Sequence, residues 1–171
     1  MIRRSLLVLL LALAPAAMAE SAGSALLALR NIAAEPFLKD AVAVRVEGGN
    51  AAPMPAEWSI LLADPSARGG VREITVVNGR ITSERTPLQG FGSVATMPPL
   101  DPEKITVDAD TIFHNVHNQA VANRVGFDLL DYTLETDPAL AAPVWNVKLV
   151  RQDGTLAGTI TLSAFGGGVV R

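Results

Sequence analysis

PVWNVKLVRQDGTLAGTITL, residues 143–162, alternates apolar and polar side chains on both sides of an Asp-Gly turn. This is the pattern of a half-buried β-hairpin. An earlier stretch, PAEWSILLADPSARGGVREITVVNG at residues 55–79, has much the same form. Each copy enters its first strand through a tryptophan, Trp145 or Trp58, with apolar residues two and four positions further on: Val147 and Leu149 in one, Ile60 and Leu62 in the other.

The surroundings of the two copies also correspond. Ahead of the first, residues 24–34 are rich in strong helix formers and Pro36 closes the run. Residues 41–46 are β-rich and stop at Gly48-Gly49-Asn50. Behind it, residues 71–77 meet Asn78-Gly79, a strong hairpin signal, and Arg80-Ile81-Thr82 returns. Ahead of the second copy, Asp110 reads as the N-cap of a helix with Ile112, Phe113, Val116 and Ala120 on one face, and Gly126 follows the last turn. Residues 127–134 form the next strand. Asp153-Gly154 then turns the chain into residues 155–163, and Phe165-Gly166-Gly167-Gly168 is the closing turn.

Trp58 and Trp145 keep the offset of Leu26-Leu27 and Ile112-Phe113 to within one residue. The expected fold is therefore α+β, as two tandem helix-on-antiparallel-sheet units of order α-β-β-β-β each, at residues 20–85 and 105–171. Residues 86–104 between them are rich in Pro and Gly and lack periodicity, as a linker does. Phe91, Met97 and Leu100 predict that this linker is docked rather than free. A single unit of about 65 residues is marginal without staples, and two together share a larger core.

The chain opens with Met1-Ile2-Arg3-Arg4, an apolar run from Ser5 to Ala14, Pro15, and Ala17-Met18-Ala19 before Glu20. That is the layout of a secretory signal peptide at residues 1–19, cut after Ala19, and the run is well short of the roughly 20 residues a membrane span needs. The expectation is a periplasmic or secreted bacterial protein with no membrane insertion after cleavage. The full chain has 14 Lys and Arg against 17 Asp and Glu, a net charge of −3. Cleavage removes Arg3 and Arg4 and makes it more negative. No basic cluster offers itself to nucleic acid. The absence of cysteine excludes disulfides, thiol catalysis, thiolate metal ligands and lipid attachment of the bacterial lipoprotein type.

A helix followed by an antiparallel meander, with a tryptophan entering the second strand and a glycine turn closing the last hairpin, resembles the PepSY domain. Trp58 with Asn78-Gly79 and Trp145 with Phe165-Gly166 carry the likeness, which covers both halves except the linker. The resemblance implies a non-catalytic module, associated in that family with peptidase propeptides and with regulation of protease activity in the cell envelope. It implies no catalytic residues.

Residues suited to chemistry are few. Asp110, His114 and His117 lie at i, i+4 and i+7 on the second predicted helix, within about 60° of one another. Such a set can hold zinc or copper, but lacks a fourth donor. The same residues read equally as a helix cap and a solvated flank, so no metal or other cofactor is expected. Gly90-Phe91-Gly92-Ser93-Val94 has the wrong glycine spacing for a nucleophile elbow. No helix follows Gly166-Gly167-Gly168 to cradle a phosphate. Asp64, Glu73, Asp128, Asp131, Glu135 and Asp137 are numerous enough for an acid–base pair, yet in strands such acids usually mark the solvent face. Trp58 and Trp145 plug the helix-to-sheet core or offer flat aromatic surface to a partner.

Two readings follow. The first is an exported binding or inhibitory module, without catalysis, acting on a peptide or protein in the envelope, a peptidase among the candidates. The second is a small metal-binding protein or hydrolase using Asp110, His114 and His117 or an acidic pair. On either reading the exported protein is expected to begin at Glu20. Its intact mass tests this, and protein found in the membrane fraction with residues 1–19 retained would contradict it.

Overall fold

The computed structural model describes residues 23–87, 94 and 96–171. The predicted signal peptide and the Gly90 to Ser93 turn lie outside the described residues. Among the described residues, the α-helices α1 (Ala25–Ala33) and α2 (Ala109–Ala122) accompany seven strands: β1 (Val42–Ala51), β2 (Glu57–Ala63), β3 (Val71–Val77), β4 (Arg80–Arg85), β5 (Leu129–Asp137), β6 (Ala142–Val150) and β7 (Leu156–Ser163).

The strands form one antiparallel sheet in the order β4-β3-β2-β1-β5-β6-β7. This overturns the expectation of two tandem helix-on-sheet units of four strands each. The half-sheets meet where β1 pairs with β5, Val46 facing Leu134 and Arg45 facing Glu135. The physical reason is that β1 and β5 would each be a bare edge if the halves stood apart, and pairing satisfies both rows of backbone groups. The second half also has one strand fewer. After β7 the chain turns through Gly167 (φ 69°) and returns as a single bridge between Leu162 and Val169. The tail is held there by hydrogen bonds from Val170 N to Thr161 O and from Thr161 N to Arg171 O, both 2.8 Å.

Alternation sorts the two faces. One apolar row runs across six strands as Ile74, Ile60, Val46, Leu134, Trp145 and Leu162, each opposite the next. Every member is buried, and the row shares one core with Ala25, Ala28 and Ile32 of α1 and Ile112, Val116 and Ala120 of α2. Both helices thus cover the same face. The other face carries polar rows and a small satellite cluster in which Val94 is buried with Val44 and Val71, and Met97 packs beside them. Leu100, by contrast, sits in the main core and donates its N–H to Ala43 O at 2.8 Å, so the connector passes from one face to the other beside the start of β1.

Three local readings also change. The N-cap of α2 is Asp108, whose carboxylate accepts from Ala109 N, and Asp110 lies in the first turn. The helix ends at Asn123 with Arg124 in the left-handed region (φ 57°), before Gly126 is reached. Strand β1 does not stop at Gly48-Gly49 but continues to Ala51. Gly48 is required there because Trp58 lies against it: a Cβ at Gly48 would stand 2.7 Å from the indole Cε3 and from Pro55 Cγ.

Trp58 and Trp145 are 1 % and 0 % exposed. Their rings are 6.1 Å apart, and Tyr132 contacts both at 6.1 and 6.2 Å. Each indole N–H is satisfied by a backbone carbonyl just ahead of its helix, Trp58 Nε1 donating to Gly23 O at 2.8 Å and Trp145 Nε1 to Val107 O at 3.0 Å. Trp58→Ala or Trp145→Ala is expected to cost about 3–5 kcal/mol in a denaturant melt. Trp58→Phe, which keeps a ring but orphans Gly23 O, is expected to cost about 1–3 kcal/mol. A protein indifferent to these changes would contradict the shared aromatic core.

Candidate functional site

The residues proposed from sequence do not converge on a reaction centre. Trp58 and Trp145 are enclosed at the middle of the core, so neither offers aromatic surface to a partner. Asp110, His114 and His117 are all exposed on α2. Asp110 Oδ1 accepts from Thr111 N at 2.6 Å. His117 stacks on Phe113 with ring centroids 6.0 Å apart and meets the edge of Phe127 at 6.3 Å, while His114 lies against Phe113 at 5.6 Å. Among the described residues, no three His, Asp or Glu side chains are grouped to hold a metal ion.

The acids are mostly spent on structure. Asp64 is buried with its carboxylate held by Ser66 N and Oγ and by Arg72 Nε at 2.6 Å. Burial pushes this carboxyl upward, but the hydrogen bonds from Ser66 and Arg72 outweigh it and leave the group below its usual value. Glu73 is lowered chiefly by Arg85, with Ser59 adding a second donor. Asp137 caps the β5–β6 turn through Ala139 N and Leu140 N and also receives Arg171 Nη2 at 2.6 Å, and these contacts hold it low. Asp131 accepts from Asn50 N at 2.9 Å, and Asp128 from Gln152 N at 2.8 Å. Held low, Asp64, Glu73 and Asp137 are not proton donors poised near neutral pH.

The structure organises a surface instead, and it is the sheet face opposite the helices. One row crosses all seven strands as Ser83, Thr75, Ser59, Glu47, Thr133, Asn146 and Thr161. A second runs through Arg85, Glu73, Leu61, Arg45 and Glu135. Hydrogen bonds lock both rows. Arg45 Nη2 meets Glu135 Oε2 at 2.9 Å, Asn146 Nδ2 donates to Glu135 Oε1 at 3.1 Å, and Thr161 Oγ1 donates to Asn146 Oδ1 at 2.7 Å. At the β1–β5 seam, where the register slips between Gly48 and Ala51, the face sinks into an open depression of about 560 Å³. Glu47, Glu57, Ser59, Asp131, Thr133 and Lys148 line it.

Sequence reasoning missed the contact that sets the helices. Asp108 at the N-cap of α2 also accepts from Ala25 N at 3.1 Å and from the hydroxyl of Ser24, the N-cap of α1. Ser24 Oγ in turn accepts from Leu27 N at 2.9 Å. One carboxylate thus serves two helix N-termini, where backbone N–H groups lack intrahelical partners and the dipoles favour negative charge. Seven residues into each helix an asparagine reaches the tight turn beyond it: Asn31 Nδ2 donates to Gly79 O, and Asn115 Nδ2 to Gly167 O at 2.9 Å. Both glycines have φ near +70°. The equal cap-to-asparagine spacing was visible in the sequence, once Asp108 rather than Asp110 is taken as the cap.

The class so defined is a two-layer α+β protein with two helices on one face of an antiparallel sheet and a structured polar surface on the other. Compared with protein-family models, curated proteins and solved structures, the chain finds no match. Among the described residues, no helix is long and apolar enough to cross a membrane.

Asp108→Ala is expected to cost about 2–3 kcal/mol, more than the roughly 1 kcal/mol of a single cap, because it uncaps both helices. Asp110→Ala is expected to stay within about 0.5 kcal/mol. Equal melting curves for the two variants would contradict the shared cap.

Proposed function

We propose that this protein is a non-catalytic binding module of the bacterial cell envelope that presents its open sheet face to a peptide or protein. The observation that carries the reading is the order of that face. Seven strands display hydrogen-bonded polar rows with a depression at the seam, and the opposite face is buried under both helices. Side chains already held in place lose little rotamer freedom on binding, and preorganisation of this kind favours affinity. The acidic side chains around Lys148 also give the surface a charge pattern that a partner can match.

The signal-like N-terminus supports export, and the resemblance to the PepSY domain supports regulation of an envelope peptidase as the form the binding takes. The alternative of a metal-binding protein or hydrolase draws no support from Asp110, His114 and His117, which stand in solvent with aromatic neighbours.

A photocrosslinking residue placed at Glu47 on the open face, and separately at Val121 on the outer side of α2, tests this in envelope extract. The expected result is a discrete crosslinked product from position 47 and none from position 121. The product is expected to vanish in a Glu57→Lys, Lys148→Glu double variant that melts like the parent. Crosslinking from position 121 alone, or a product indifferent to the double variant, would overturn the open face as the binding surface.

A further inference from the structure

The β3–β4 hairpin turns on Asn78-Gly79, and Asn78 is the one asparagine in the sequence that is followed by glycine. Both residues stand in the left-handed region, with φ of 49° and 75°, as a two-residue hairpin turn requires. Gly79 is tied to its place: a Cβ there would meet Leu27 Cδ2 at 3.1 Å, in a backbone conformation that side chains rarely adopt. The turn therefore keeps a reactive pair. The side-chain amide of an asparagine is an electrophile one five-membered ring away from the next backbone nitrogen, and a glycine there adds no side chain to shield that nitrogen.

Asn78 is exposed, within reach of water and hydroxide. Its left-handed conformation, with ψ of about +47° in the ideal case, turns Cβ away from the Gly79 nitrogen, so the ring closes only when the turn opens. Two contacts oppose opening. Asn31 Nδ2 on α1 donates to Gly79 O, and Asn78 N donates to Ala56 O at 2.9 Å. The β6–β7 hairpin has Asp153-Gly154 in the corresponding place, but Asp153 is a carboxylate bonded to Thr155 N at 2.9 Å and Thr155 Oγ1 at 2.7 Å, and its negative charge repels the attacking nitrogen.

We propose that Asn78 is a site of spontaneous deamidation and that the Asn31 contact sets its rate. The Gly79 nitrogen gives up its proton and bonds to Asn78 Cγ. The Cγ–Nδ2 bond breaks, and Nδ2 takes up a proton and leaves as ammonia. Water then opens the succinimide. Cleavage at Cγ gives aspartate, and cleavage at the main-chain carbonyl carbon gives isoaspartate, which carries one extra methylene in the backbone. That methylene displaces Gly79 O from Asn31 Nδ2 and loosens the tie between α1 and the hairpin.

The test is incubation of the purified protein in mildly alkaline buffer, with peptide mapping by mass spectrometry over time. Aspartate and isoaspartate are expected to accumulate at position 78, more slowly than in a synthetic peptide of residues 71–85. Asn31→Ala and Asn31→Asp, which both remove the donor to Gly79 O, are expected to speed the reaction by about fivefold, because a rate limited by opening follows the open population. Asn115→Ala removes the matching contact to Gly167 O in the other half and is expected to leave the rate unchanged, which separates local opening from general unfolding. Melting curves identify any variant that fails to fold, and the comparison of the parent protein with the peptide decides without them. No product at position 78, a parent protein that reacts as fast as the peptide, folded Asn31 variants that react no faster than the parent, or equal acceleration by Asn31→Ala and Asn115→Ala would each overturn the proposal.

Discussion

The pairing of β1 with β5 is the constraint on which the rest of this structure depends. Opposite Val46 stands Leu134 and opposite Arg45 stands Glu135, so the apolar faces of the two half-sheets coincide and their polar faces coincide. A shift of one residue would turn every side chain of one half to the wrong layer. Because the faces agree, α1 and α2 must cover the same side, and their N-termini come together at Asp108. Trp58 and Trp145 are brought into contact across the same seam, with Tyr132 wedged against both and its hydroxyl bonded to Pro53 O. Burial pushes the Tyr132 phenol well above its ordinary value, as expected of a side chain whose task is packing.

Matching contacts in the two halves point to one architectural solution used twice inside a single core. In each half a tryptophan donates to the carbonyl that precedes the helix cap, and an asparagine in the helix donates to a left-handed glycine turn. These contacts tie helix to sheet at both ends. A helix of nine residues such as α1 has little stability of its own, and most of what it has comes from such tertiary anchoring. The seam then makes the two anchored halves interdependent. A pocket beside α1, lined by Ile32, Leu62 and Leu100, arises in the same way, where the connector bridges helix and sheet without filling the space between them.

One face is committed to the core, and the other carries the polar rows beside the Val44, Val71 and Val94 cluster. Arg45 pairs with Glu135 and Arg85 with Glu73 between neighbouring strands, and Arg85 and Ser59 hold Glu73 below its usual value.

Much of the local structure was legible in the sequence, because it depends on neighbours along the chain. Alternation marked β2, β3 and β6 and put Trp58, Ile60 and Leu62 on one side of one strand and Trp145, Val147 and Leu149 on one side of another, all six buried in the structure, and Asn78-Gly79 marked its hairpin through the left-handed conformation both residues adopt. The caps were harder, since Asp108 and Asp110 are chemically alike and only the position of Ser24 across the seam selects between them. What the sequence by itself determined is which residues share a side of a strand, that a helix leads each half, and where the Asn78-Gly79 hairpin turns. Which strands become neighbours was decided only in the tertiary structure, because alternation states the face of a strand and says nothing of the partner on its edge. One sheet in place of two, a polar row running across all seven strands, and the pocket beneath the connector all follow from that choice.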